Sequence, residues 1–125
     1  MLLDANILLY AIDESAALHH AARAWLEDAL NGDRRVAMPW QTLGAVARIA
    51  THPRVMTHPL SGPEVADIIE RWLSCSVVWV PPANEQSAQI LMTLLKQPGV
   101  SGNLVTDAQL AALAIHHGVQ LMSTD

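Results

Sequence analysis

Short apolar runs alternate along this chain with longer stretches in which apolar residues recur every three or four positions. "MLLDANILLY" opens as an apolar run broken by one acid, and Leu2 to Asp4 reads as a short strand. After a polar turn, Ser15 is placed to cap a helix carrying Leu18, Ala22, Trp25, Leu26 and Leu30 on its apolar stripe, with Gly32 beyond its end. Val36 to Met38 reads as a second strand closed by Pro39, and Trp40 to Ala50 as a helix. "THPRVMTHPL" interrupts the periodicity with two prolines and reads as a loop. Ser61 and Glu64 have capping-box spacing ahead of the stripe Val65, Ile68, Ile69, Trp72 and Leu73. "VVWV" (Val77 to Val80) is a strand stopped by Pro81 and Pro82, Asn84 to Gln97 a further helix, and "PGVSGN" a loop. A last helix over Leu104 to His117 ends at Gly118, ahead of a strand over Gln120 to Ser123. Strands this short, alternating with helices of ten residues or more, imply an α/β domain whose parallel sheet is covered on both faces.

Length and composition narrow the class. A chain of 125 residues with 51% hydrophobic content fits one domain, 1–125. It is long enough to bury roughly two-thirds of its unfolded surface. A lone cysteine, Cys75, excludes an internal disulfide framework and points to a reducing compartment such as a bacterial cytoplasm. No basic n-region precedes a signal-like run, and no apolar stretch has the length of a membrane span. The net charge of -5 argues against a surface that coats nucleic acid with Lys and Arg, so any RNA contact must be local or helped by metals held on acids. Four tryptophans (Trp25, Trp40, Trp72, Trp79) and no phenylalanine read as core filling among aliphatics rather than as base-stacking platforms.

Three acids carry the candidate chemistry. In open α/β sheets ligands collect beyond the carboxyl ends of the strands. Asp4 ends the first strand, and Asp125 follows the last. Asp107 falls in the first turn of the last helix, where Leu110, Ala111 and Ala114 place it on or beside the packed face, with Gln109 and His116 toward water. Each acid alone has an ordinary structural use, as a strand-end acceptor, a turn residue or a favourable charge at a helix N-terminus. Gathered on one edge, the three would repel one another unless a cation sat among them, and an oxygen-only site suits Mg²⁺ or Mn²⁺. The paired histidines (His19 and His20, His52 and His58, His116 and His117) lack the spacing of a shared metal cluster and read as surface polarity. His52 and His58, beside Arg54, suit RNA contact better, and Arg34, Arg35 and Arg48 are further candidates for phosphate.

"LLDANILLYA", "SGNLVTDAQLAALAIHHG" and the closing "VQLMSTD" resemble, in order and across essentially the whole chain, the PIN-domain ribonucleases, in particular the VapC-type toxins of bacterial toxin-antitoxin pairs. "PWQTLGAVARIATHPRV" is similar to the same segment in the mycobacterial-type branch of these toxins. The resemblance implies a three-layer α/β/α sandwich with a central parallel sheet, acting as a Mg²⁺- or Mn²⁺-dependent endoribonuclease on transfer or ribosomal RNA. It implies that Asp4, Asp107 and Asp125 hold the metal, that Asn6 orients the first acid, and that Thr124 is the hydroxyl residue beside the last. Arg48, His52 and Arg54 are the expected RNA contacts. The implied partners are a VapB-type antitoxin covering the acidic site and a second copy of the chain in a homodimer.

Two departures accompany the resemblance. Many PIN nucleases carry a further glutamate on the helix after the second strand, yet "WQTLGAVARIAT" has no acid. Gln41, Thr42, Asp13 and Glu14 are the substitutes within reach of sequence reasoning, and one metal is as compatible with this set as two. Relatives also commonly continue past the "STD", so either the chain is shortened or a short C-terminal tail follows. Two other functions stay open: a non-catalytic PIN fold that binds an antitoxin, and a phosphatase of the haloacid dehalogenase type. The phosphatase requires an Asp where Asn6 stands and a Lys ahead of the late acids, and the only lysine is Lys96.

Overall fold

The structure, a computed structural model, describes residues 1–124. Four strands, β1 (Leu2–Leu3), β2 (Val36–Ala37), β3 (Val78–Trp79) and β4 (Leu121–Met122), form one sheet in the order β3-β2-β1-β4. All three pairings are parallel. The helices are α1 (Ala5–Ile12), α2 (His19–Leu30), α3 (Trp40–Ala50), α4 (Gly62–Ser74), α5 (Glu85–Leu95) and α6 (Leu104–His117).

Period-two alternation divides the core between two faces. Leu3, Val36 and Met38 point into a cluster with Leu8, Leu9, Leu26, Leu43, Val46, Val65 and Trp72, contributed by α1 to α4. Leu2 and Ala37 point the other way, onto Leu110, Leu113 and Ala114 of α6, with Trp79 and Leu121 alongside. Helix α5 packs on α6. The layers are therefore helix, parallel sheet, helix, as expected for strands apolar on both faces.

Helices α3 and α6 span the segments that periodicity indicates, and the Ser61–Glu64 box forms with bonds of 3.0 and 3.2 Å. Gly118 closes α6 in the left-handed conformation at φ 63°, which suits a residue without a side chain. The run after Asp4, to which the sequence pattern assigns no element, is helix α1, whose Ile7, Leu8 and Leu9 are buried. Two sequence readings need correction. Ser15 caps nothing: its amide donates to Asp13 Oδ1 at 3.0 Å in a local turn, and α2 starts later, without a side-chain cap. His19 is not surface polarity but is buried, with Nδ1 2.9 Å from the Tyr10 carbonyl, tying α2 to α1.

Candidate active site

The strand order reverses between β1 and β4. From β1 the chain moves outward to β2 and β3 with α1 to α4 on one face, then returns under the other face through α5 and α6 to pair β4 with the free side of β1. Such a reversal opens a crevice beyond the carboxyl ends of the two strands involved. Asp4 stands at the end of β1 and Ser123 at the end of β4, and the register Leu3↔Met122 sets them side by side.

Asp4 has two roles there. It is the N-cap of α1, with extended backbone (φ -74°, ψ 153°) and Oδ1 accepting from the Asn6 amide at 3.4 Å. Its Oδ2 accepts from the Ser123 hydroxyl at 2.9 Å, across 119 residues of chain. A carboxylate offers roughly four acceptor positions, and the capping bond is long, so these contacts orient the group without saturating it. Its backbone is held as well: the Asp4 amide donates to the Met122 carbonyl at 3.1 Å, and Thr42 Oγ1 on α3 donates to the preceding carbonyl, Leu3, at 3.1 Å. Thr42 is only 2% exposed, so a buried hydroxyl pins the peptide next to the acid.

Asp107 is in the first turn of α6. Helix α6 ends at His117 just ahead of β4, which runs parallel to β1, so its last turn lies at the amino end of the sheet and its first turn toward the carboxyl end, where β1 delivers Asp4. The Asp107 side chain is exposed, beside the packed face rather than on it. The orientation expected for His116 is reversed: it is half-buried, 2.6 Å from Ser87 Oγ of α5, and stacks on His117. Asp125 lies outside the described residues. Among those described, no three His, Cys, Asp or Glu side chains gather at one point.

The remaining candidates separate by position. Thr124 is exposed beside Ser123, whose hydroxyl is the one bonded to Asp4. Gln41, in the first turn of α3, shares a cleft with Gln109 of α6 and Asn84. Asp13 and Glu14 follow α1, about 12 Å along its axis from Asp4, in a hollow with Met56 and His58, so neither replaces the absent glutamate. Arg48 is in the last turn of α3, with His52 and Arg54 just beyond, about 12 Å or more from the end of α3 nearest the acids. His52 Nδ1 there accepts from the Arg54 amide at 3.1 Å.

Sequence reasoning missed two features of this rim. The first is Ser123, whose contact depends on the β1–β4 register. The second is Trp40, expected in the core but 80% exposed at the start of α3. No sequence signal marks it: Pro39 sets the start of α3, but Thr42 and Leu43 in the same turn are buried.

The PIN domain family model matches residues 1–125. The chain belongs to the PIN-domain family. Ribonuclease VapC37 of Mycobacterium tuberculosis is 38% identical over 125 residues, covering 99% of this PIN domain and 86% of the relative. Ribonuclease VapC33 of the same species is 34% identical over 122 residues, covering 98% and 85%. Among solved structures, Mycobacterium tuberculosis VapC20, a sarcin-ricin loop cleaving toxin, superposes with a TM-score of 0.71 at 19% identity, covering 99% of this chain and 88% of that one. VapBC2 of Rickettsia felis, bound to a DNA fragment from its promoter, gives 0.68 at 19% identity, covering 99% and 86%. Both support the α/β/α fold of this PIN domain. Among its described residues no helix is long and apolar enough to cross a membrane.

Proposed function

We propose that this PIN domain is the toxin of a toxin-antitoxin pair, an endoribonuclease that hydrolyses RNA phosphodiester bonds at the β1–β4 rim. The observation that carries the reading is Asp4, held at the reversal of the sheet by strand, helix and Ser123 together. Its ribonuclease-named relatives at 34–38% identity support the same activity.

The rim offers carboxylate and hydroxyl oxygens, a donor set suited to Mg²⁺ or Mn²⁺. Asp4 and Asp107 would hold the ion, with Asp125 as a third ligand from the segment after β4. A bound divalent ion supplies an activated water and offsets charge on the phosphoryl oxygens. The protein's part is positioning. Ser123 and the Asn6 amide fix the plane of the Asp4 carboxylate, Thr42 fixes the peptide beneath it, and Asp107 supplies the second negative charge. No side chain is needed as a nucleophile.

A VapB-type antitoxin is the partner this reading assigns, supported by the VapBC2 assembly among its structural neighbours. A homodimer and a cytoplasmic location complete it. The test is cleavage of total RNA and transfer RNA by the antitoxin-free protein with Mg²⁺, Mn²⁺ or EDTA, alongside Asp107→Asn. Discrete fragments that need the metal and disappear in the variant are expected. Folded protein that binds antitoxin but never cuts would favour a non-catalytic binding module.

A further inference from the structure

Of the four tryptophans, three are built into the fold. Trp72 is 8% exposed in the core under α4, Trp25 packs against the same core, and Trp79 lies on the sheet beneath Arg35, whose guanidinium carbon is 4.3 Å from the ring centroid. Trp40 is the exception, at 80% exposed. An indole left in water forgoes a large apolar burial, and nothing about starting a helix requires one there.

Its location limits what it can meet. The register Leu2↔Ala37 puts Pro39 beside Asp4 on the neighbouring strand, and Trp40 is the next residue. At a strand spacing of roughly 4.8 Å and 3.8 Å per residue, its backbone lies within about 10 Å of that of Asp4. The base beneath it is stiff: Met38 and Pro39 are fully buried, and Thr42, two residues on, is bonded to the β1 carbonyl. The ring therefore sits on a fixed backbone at the rim, free to turn only about its own side-chain bonds. It lines a groove of about 690 Å³ between α3 and α4, together with Leu43, Ala47, Val65, Ile69 and Leu73. Arg48 and Glu70 also line that groove, so charge does not dominate it.

We propose that Trp40 is a base-stacking platform that holds a nucleotide flanking the scissile phosphate. The inference rests on the ribonuclease reading above and deepens it by naming a residue that positions the substrate. With a net charge of -5 and acids at the rim, this protein has few phosphate contacts to offer. Stacking on an indole needs no charge and accepts any base. Trp40 thus supplies at the rim the attraction that the charge balance withholds.

The experiment compares wild type with Trp40→Ala, Trp40→Tyr and Trp40→Leu. Binding of a labelled single-stranded RNA is followed by anisotropy in EDTA, and cleavage with Mg²⁺ or Mn²⁺ gives kcat and KM. Trp40→Ala is expected to weaken RNA binding and raise KM by about tenfold or more with kcat little changed. Trp40→Tyr should restore most of the affinity and Trp40→Leu should not, because leucine is apolar without a stacking face. The loss should be nearly the same at low and high salt. Unchanged RNA affinity in Trp40→Ala would overturn the proposal. So would full rescue by leucine, or a change in sedimentation of Trp40→Ala that leaves RNA binding intact, since either would make the groove a protein-docking surface. Wild-type protein that binds RNA through Trp40 but never cuts it would leave the platform standing and remove the nuclease. Wild type that neither binds nor cuts RNA would overturn both.

Discussion

Two polar clusters in this PIN domain look alike in sequence and differ in what their polar atoms are left to do. At the C-terminus of α6, His117 Nε2 is 2.8 Å from the Pro82 carbonyl, His116 meets Ser87, and the two imidazoles stack 4.4 Å apart while His117 edges onto Trp79. These groups are spent on one another, binding α6 to α5 and to the segment after β3. At the β1–β4 rim, Asp4 is held by hydroxyl and amide donors, and Asp107 stands exposed one turn before the core. Closed hydrogen-bond sets hold elements together, whereas an acid that is oriented and left with acceptor capacity can take a ligand. Both regions contain a Ser side chain bridging to a titratable group, so a serine deletion in each separates structural from functional polarity.

The comparison breaks first at Asp4. Asn caps a helix as well as Asp does, and it still offers an oxygen to Ser123. Asp4→Asn should therefore leave the urea midpoint almost unchanged while lowering the RNA cleavage rate on the order of 100-fold or more, the scale of losing one charge-stabilising group at a reaction centre. A variant that loses stability and activity together would make Asp4 a structural cap and nothing more.

Next is the orienting hydroxyl. Groups that align a metal ligand typically contribute about 10–100-fold in affinity or activity. Ser123→Ala should accordingly lower cleavage by about tenfold, partly recovered at raised Mn²⁺, with stability nearly unchanged because the site is at the surface. Full activity in Ser123→Ala would mean that the 2.9 Å contact does not govern the acid. The matching change in the closed cluster is Ser87→Ala. Ser87 is 6% exposed, accepts from the Asn84 amide at 3.2 Å and meets the half-buried His116, so its loss removes two part-buried hydrogen bonds at a cost of about 1 kcal/mol in urea unfolding. Cleavage per folded molecule should stay at the wild-type rate, and a fall there would join the two clusters into one functional unit.

How much of this was readable from residues alone follows the range of the interactions. Elements with local signals came through: the Ser61–Glu64 box, Gly118 after α6, and Pro39 before α3 all act within a few positions. Helix α1 did not, because its apolar run Ile7 to Tyr10 is too short to have a decisive period and Asp4, its N-cap, also reads as a strand-end acid. Of the site, Asp4 and Asp107 were visible as acids at a strand end and in a first turn. Their companions were not. Ser123 reaches Asp4 through a pairing of strands with only two paired residues each, too short for sequence pattern to set register. His19 and His116 carry no mark that separates a buried imidazole from a solvated one until packing supplies the Tyr10 carbonyl and Ser87. Trp40 was hidden for the opposite reason: composition argues that an indole is buried, and only the geometry of the helix start leaves this one out.

The smallest expected effect concerns a carboxylate that is closed rather than open. Glu64, like Asp4, sits at a helix N-terminus, but its Oε1 accepts from the Ser61 amide at 3.0 Å while the Ser61 hydroxyl accepts from its own amide. The Ser61 hydrogen bonds, backbone first and side chain second, hold its pKa below the ordinary 4.5 against a small opposing effect of burial. A pKa depressed on folding adds stability that is present above the unfolded value and fades as pH falls through the folded one. Wild type should thus exceed Glu64→Gln by a small, constant margin in urea midpoint from neutral pH down to about 5, and the margin should shrink as pH drops below the ordinary carboxylate range. Cleavage at neutral pH should be the same in both proteins. A margin that persists into acid would assign the effect to side-chain packing, and an activity difference would mean that an acid closed within its own helix still reaches the rim.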